Sequence, residues 1–503
     1  MPAYSSPTPD AFVAAESQFH AIVAHLAGAP GLAMEHDAAE RYLDTHGRAL
    51  LCSVLQGFLD TRAAQQTPSP AVRGDDGVER SHRRGSSRSL ETVFGSVYVT
   101  RFAYSARGAG ARHPLDAELN LPRERYSFGV RQRVAAWASR LSFDEVVTEL
   151  GRSTGAHVPK RQTEQLVVRA AADFDAFYAT RDAPAASETL PELMVLTFDG
   201  KGIPMRVDDL RPKTQAAAQC AQRLKHRLRG GEKKHRKRMA QVAAVYGVAR
   251  FARAPEDIVR ELRPLDEPLP ARPRPIAKRV WASVEQESAE VIKAAFAEAQ
   301  RRDPQGRARW VVLLDGNPSQ LELVCAQAAA NDVEITPVLD VIHVLEYVWR
   351  AAYVFFPAGS REAETWVSEQ LLGVCDGRVS RVAAGMRRSA THRALDAETR
   401  AAVDDCADYL LRYKALLRYD EFLADGLPIA TGVIEGACRY LVKDRMERTG
   451  ARWRLKGAEA VLKLRALHAS GDFDAYWSFH VAREFARNHA ARYAANELQR
   501  AAA

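Results

Sequence analysis

Two short runs constrain this chain more than any other part of it. ELMVLTFDG ends on Asp199-Gly200, and ARWVVLLDG ends on Asp315-Gly316. Each is a continuous apolar stretch of strand length, without the polar residue at every second position that a half-solvated strand shows. Such a strand has both faces covered, so the sheet it belongs to lies between layers of helix. RMAQVAAVYGVARFA (238–252), bent at Gly247, KRVWASV and VEITPVLDVIH read as further strands. EQESAEVIKAAFAEAQRR reads as an amphipathic helix, and PSQLELVCAQAAA as the helix after the second Asp-Gly. Mixed strands with crossover helices imply an α/β core.

The 503 residues leave room for more than that core, about three domains at ~150 residues each. Residues 1–61 read as helical. Residues 62–89 lose their apolar residues, gain Pro, Gly, Ser and Arg, and read as a linker. Residues 90–189 open with a hairpin, ETVFGSVYVTRFAY, turning at Gly95-Ser96, and continue as short helices. Ser142 and Glu145 form a capping box, Gly151 is the expected stop, and the next helix opens near Pro159 with Lys160 and Arg161. This pair reads either as a DNA-reading helix-turn-helix or as an ordinary helical hairpin. The core's first part spans 190–343, a wholly helical stretch spans 344–425, the core resumes over 426–470, and 471–503 is a helical tail.

Composition excludes several classes. No run of ~18 apolar residues exists to span a membrane. The start, MPAYSSPTPDAF, lacks the basic and apolar regions of a secretory signal, so a cytoplasmic protein is expected. Six cysteines are scattered with no CxxC pair, which argues against zinc ribbons and disulfide frameworks. No phosphate-cradling glycine loop is present. The formal net charge is +8, and the segment 221–238, with nine Lys/Arg against one Glu, carries all of it. Lys225, Arg227, Arg229, Lys233, Lys234, Arg236, Lys237 and Arg238 in that run suit phosphate contacts, as do Arg452 and the exit of the helix near it.

The two Asp-Gly pairs stand where ligands gather in open α/β sheets, beyond the carboxyl ends of strands; an Asp-Gly turn without function gives the same pair. Glu435, in TGVIEGACRYLVKDR, lies beside an apolar helical face, where an acid also complements the helix dipole. Three converging carboxylates would repel one another unless cations neutralise them, and such a set can hold two hard divalent ions for phosphoryl transfer. Asp199 would bridge the ions, with Asp315 and Glu435 each completing one.

The strings LTFDGKG, VVLLDGNPSQ, LDVIHVLEYVWRAAYVF, GVIEGACRYLVKDRMERTGARW and GAEAVLKLRAL resemble bacterial insertion-sequence transposases of the ISKra type, relatives of the Mutator-like group. The resemblance covers about residues 90–480 and is most specific around Glu435. It implies a ribonuclease-H-like α/β core interrupted by an all-helical insertion, with a mainly helical N-terminal DNA-binding region and a small β-hairpin. It implies a DDE triad of Asp199, Asp315 and Glu435, spaced by 116 and then 120 residues, with two Mg²⁺ ions for which Mn²⁺ can substitute. It singles out Asp340 and His343 as a DxxH motif contacting the scissile phosphate or a DNA end; a purely structural His–Asp contact is the alternative. Trp453 would stack on an unpaired base, or else pack in the core. The implied activity is cleavage at element ends and joining to target DNA, by a dimer or larger multimer on double-stranded DNA, nucleoid-associated when bound. A domesticated, catalytically silent DNA-binding regulator and a stand-alone metal-dependent nuclease on the same core are the alternatives.

Overall fold

In β1 (Leu193–Pro204) every residue from Leu193 to Phe198 is buried. The strand lies at the centre of a five-stranded sheet with β2 (Lys237–Val248), β3 (Ile276–Ser283), β4 (Arg309–Leu314) and β5 (Ile335–Leu339), in the order β5-β4-β1-β2-β3. β2 is antiparallel to β1 and to β3, whereas β4 is parallel to β1 and to β5. Parallel neighbours need crossovers. Helix α1 (Ser288–Arg302) leads from β3 to β4, and α2 (Pro318–Ala330) leads from β4 to β5. The pairing of β2 with β3 shifts register between Val245 and Gly247. At Gly247 a Cβ would stand 2.4 Å from the Pro191 ring, so the bend expected there is also a close approach.

The computed structural model describes residues 10–181, 191–220, 235–261, 271–448 and 450–494. They divide into two units, one of residues 181–471 and one of residues 1–180 with 472–503. The sheet belongs to the first. After β5 that unit is helical through α3 (Val341–Phe355), α4 (Arg361–Cys375), α5 (Val379–His392), α6 (Ala397–Arg412) and α7 (Tyr419–Ala424), where the wholly helical stretch was expected. Helix α3 packs on α4 and α6, and Tyr347 stacks on Tyr409 with ring centres 4.0 Å apart. The chain returns to the sheet through α8 (Gly432–Ala437), a π-helical turn at Cys438–Lys443, and α9 (Leu455–Ser470), which lies along β3. Buried Glu459 of α9 accepts hydrogen bonds from Ser283 Oγ (2.9 Å) and the Val284 amide (2.8 Å), closing the end of β3.

In the other unit, strands His82–Thr92, Gly95–Ala106 and Ala109–Arg112 form an antiparallel sheet, and the helix His36–Ala64 lies against its middle strand. This corrects two expectations. The hairpin turns at Val93-Phe94, since Thr92 pairs with Gly95. The stretch 62–89 is not a plain linker, because strand His82–Thr92 occupies its end. The outer half of that strand is exposed on both faces, so main-chain pairing forms it and no apolar pattern announces it.

Helices Phe143–Ser153 and Lys160–Ala170 pack on each other and on Phe128–Ala138. The capping box forms as read, with the Glu145 amide donating to Ser142 Oγ (3.3 Å) and the Ser142 amide to Glu145 Oε2 (2.6 Å). The helix runs through Gly151 to Ser153, and Thr154 Oγ1 donates to the Leu150 carbonyl (2.7 Å) at its end. Helix Phe473–Asn488, read as a tail, belongs to this unit. Buried Asp173 there accepts from His480 Nδ1 (2.7 Å) and from both terminal nitrogens of Arg487 (2.6 and 2.8 Å). Among the described residues no helix is long and apolar enough to cross a membrane.

Candidate functional site

The parallel registers place the acids. Thr197 lies opposite Leu313, and Leu339 lies opposite Leu314. Carrying these registers one or two residues further sets Asp199 level with Asp315 and Asp340, the first residues past the ends of β4 and β5. Contrary to expectation, Asp199 is not at its strand's exit, because β1 continues to Pro204 along β2. It stands instead just past the point where β4 leaves off, so its β4 side is open to other groups.

Each acid is held by local chemistry. Asp199 Oδ1 accepts from the Gly200 amide (2.6 Å), and Oδ2 accepts from the Cys438 thiol (3.0 Å). Asp315 Oδ1 accepts from the Asn317 amide (2.8 Å). The carbonyls of Asp315 and Gly316 accept from Tyr409 (3.1 Å) and Tyr413 (2.5 Å), two hydroxyls one turn apart at the end of α6. Gly316 is left-handed, with φ +89°, and a Cβ there would meet the Tyr409 hydroxyl at 2.7 Å.

Asp340 is wholly buried and fully engaged. Its carboxylate caps α3 through the Ile342 amide (3.0 Å), accepts from the Thr431 hydroxyl, and meets His343 Nδ1 at 3.1 Å. That partner pushes the His343 imidazole up to about 9, assisted by Asp315 and Glu346 and opposed by burial. His343 is therefore a cation at neutral pH.

Glu435 stands exposed on α8, yet burial raises its pKa, as do Asp340 and Asp199, with His343 opposing. Glu435 is thus placed where the carboxylates of Asp340 and Asp199 act on it. The next turn is π-helical, and its carbonyls at Tyr440 and Leu441 accept from the Arg465 guanidinium, the second at 2.7 Å. A π-turn inserts one extra residue into a helix and recurs at functional sites.

Asp199, Asp315, Asp340 and Glu435 set four carboxylates against the cations His343 and Lys201, the latter acting on the Cys438 thiol. The available donors are carboxylate oxygens, which suit a hard cation. Burial and Asp199 push the Cys438 thiol well above its usual range, and it donates to the Asp199 carboxylate. Among the described residues no three His, Cys, Asp or Glu side chains stand close enough to hold an ion as a ready-made group.

The basic residues are distributed differently. Lys160 and Arg161 are exposed at a helix start, with Lys160 paired to Asp144 at 2.6 Å. Lys225, Arg227, Arg229, Lys233 and Lys234 lie outside the described residues. Arg236 and Arg452 are exposed, and Lys237 pairs with Glu447 at 2.5 Å. Arg238 donates to the carbonyls of Val284 (2.8 Å) and Asp209 (3.3 Å). Trp453 is only 6% exposed, with its indole N–H on the Met446 carbonyl (2.9 Å) and the Arg445 guanidinium 4.7 Å above its ring. It packs in the core, and the base-stacking reading does not fit that placement.

Sequence reasoning missed Cys438, Tyr409, Tyr413 and Thr431. Two of these signals lay in spacing: Cys438 follows Glu435 by three residues, and the tyrosines are four apart, so each pair shares a helical face.

No protein-family model matches the chain, and no curated protein matches it in sequence. Among solved structures it is similar to the Drosophila P element transposase strand transfer complex, at 10% identity and a TM-score of 0.24, over 74% of this chain and 83% of that one. A TM-score that low does not establish a shared fold.

Proposed function

We propose that the chain is a DDE transposase with a ribonuclease-H-like core, which cleaves DNA at element ends and joins the 3′-hydroxyls to target DNA. The observation that carries this reading is the register that sets Asp199 level with Asp315 and Asp340 at the ends of β4 and β5, with Asp340 and Asp199 both acting on Glu435 of α8. Asp199, Asp315 and Glu435 would hold two Mg²⁺ ions, and Mn²⁺ would serve in their place. When bound, such ions activate a water or 3′-hydroxyl and stabilise the leaving oxygen. The chain's own groups do the rest. Cys438 orients the Asp199 carboxylate, the two tyrosines fix the backbone that carries Asp315, and Asp340 holds His343 as an imidazolium available to a DNA phosphate. The raised pKa of Glu435 reflects burial together with carboxylate repulsion, and a cation relieves the repulsion. Double-stranded DNA is the partner, engaged by the basic segment and by the helices near Lys160, with two or more copies acting on paired ends.

The experiment is Asp199→Asn. Duplex binding persists in this variant, while strand cleavage and joining are lost; retained cleavage would sink the assignment. Joined products, as opposed to nicks alone, separate a transposase from a nuclease. A second reading, a DNA-binding protein without catalysis, is favoured by the lack of a ready-made three-ligand cluster among the described residues. Wild-type protein that binds DNA but stays inert with Mg²⁺ and Mn²⁺ would select it.

A further inference from the structure

The unit of residues 1–180 and 472–503 contains a cavity of about 210 Å³ lined by Arg88, Arg101, Arg123 and Arg492 and by a single carboxylate, Asp116. Asp116 is already committed. Arg101 donates to it at 2.7 Å, and Arg88 lies 3.8 Å away. Among the described residues, neither Arg123 nor Arg492 has a carboxylate within ion-pair distance, though Arg492 reaches the Ala111 carbonyl (3.4 Å); Arg88 donates to the carbonyls of Pro122 (2.6 Å) and Glu124 (3.1 Å), and its Nε is buried with no hydrogen-bond partner. The two histidines of the wall do not help. His489 Nε2 is turned onto the Leu121 carbonyl (2.8 Å), and burial holds the pKa of His489 and of His113 down. Burial and neighbouring guanidiniums likewise lower the pKa of Arg88 and of Arg492. Arg88 and Arg492, partly withdrawn from water beside one carboxylate shared among four guanidiniums, carry a desolvation cost that an incoming anion reduces.

We propose that this cavity binds a phosphoryl group. Arg123 and Arg492, lining one cavity without a carboxylate of their own, suit an acceptor that takes several charge-assisted hydrogen bonds at once, as a phosphoryl group does, and the volume admits one phosphate with a small substituent. The inference stands on this unit alone and does not depend on the transposase reading.

The test uses the full chain and inorganic phosphate as probe, with thermal unfolding read against chloride at equal ionic strength. Phosphate raises Tm, and Arg123→Gln weakens phosphate affinity by about tenfold or more, the loss of one charge-assisted hydrogen bond. Arg123 is exposed, so that variant keeps its fold; Arg492→Gln is the second variant and gives the same loss. A short duplex with and without 5′-phosphates distinguishes the sources. Tighter binding of the phosphorylated duplex, lost in both variants, assigns the site to a DNA end, whereas a phosphate effect indifferent to duplex phosphorylation assigns it to a free phosphate compound. Equal Tm in phosphate and chloride, or an equal phosphate shift in wild type and variants, overturns the proposal.

Discussion

His343 concentrates the electrostatics of the acidic site in one titration. Its folded pKa, about 9, lies above the unfolded value because Asp340 is its partner. A raised pKa of this kind contributes stability that is fully present below ~6.5 and is lost as pH rises through the folded value. We therefore expect the Tm difference between wild type and His343→Gln to be largest below pH ~6.5 and to shrink steadily towards about 9. Parallel Tm–pH curves in metal-free buffer would contradict this. At the same scale, the DxxH spacing was legible in the sequence but its chemistry was not. Asp340 proves to cap α3 and hold Thr431 as well as His343, and no residue pattern reveals a bond reaching from Asp340 to Thr431.

The link between α6 and the turn after β4 makes a sharper case at the scale of elements. Gly316 has a positive φ, and Tyr409 fills the space where a side chain would go. Gly316→Ala should cost about 1–3 kcal/mol from backbone strain alone, with the hydroxyl clash adding to it. In a Tyr409→Phe background the nearest atom is gone, so the cost should fall by about 0.5 kcal/mol or more. Urea unfolding of the two single variants and the double measures this, and strict additivity would refute the clash. The elements themselves were largely readable. β1 and β4 announce themselves as unbroken apolar runs because burial on both faces demands it. Strand His82–Thr92 did not, because its outer residues from His82 to Gly85 are exposed and backbone bonds pair it with its neighbour. The π-turn after Glu435 was also hidden, since Cys438–Lys443 reads as ordinary helix until the extra residue is seen against Arg465.

The formal surplus of the whole molecule is a local matter, because the segment 221–238 carries all +8 and the remaining residues balance. Neutralising Lys233, Lys234, Arg236 and Lys237 should flatten the dependence of log K on log salt for duplex DNA by roughly 0.9 for each phosphate that the segment no longer neutralises. Circular dichroism should stay unchanged, and an unaltered salt slope would show that the segment does not touch DNA. The division into two units was only partly legible. The core and its helical stretch follow from hydropathy, but the placement of helix Phe473–Asn488 rests on Asp173, His480 and Arg487, whose partnership spans some three hundred residues and leaves no trace in local sequence. The two tyrosines, Tyr409 and Tyr413, carry one more consequence. The helical stretch 341–424 is not an interchangeable cassette, since its hydroxyls grip the main chain of Asp315 and Gly316. Replacing those helices while keeping the strands would take two hydroxyl donors away from the turn that carries Asp315.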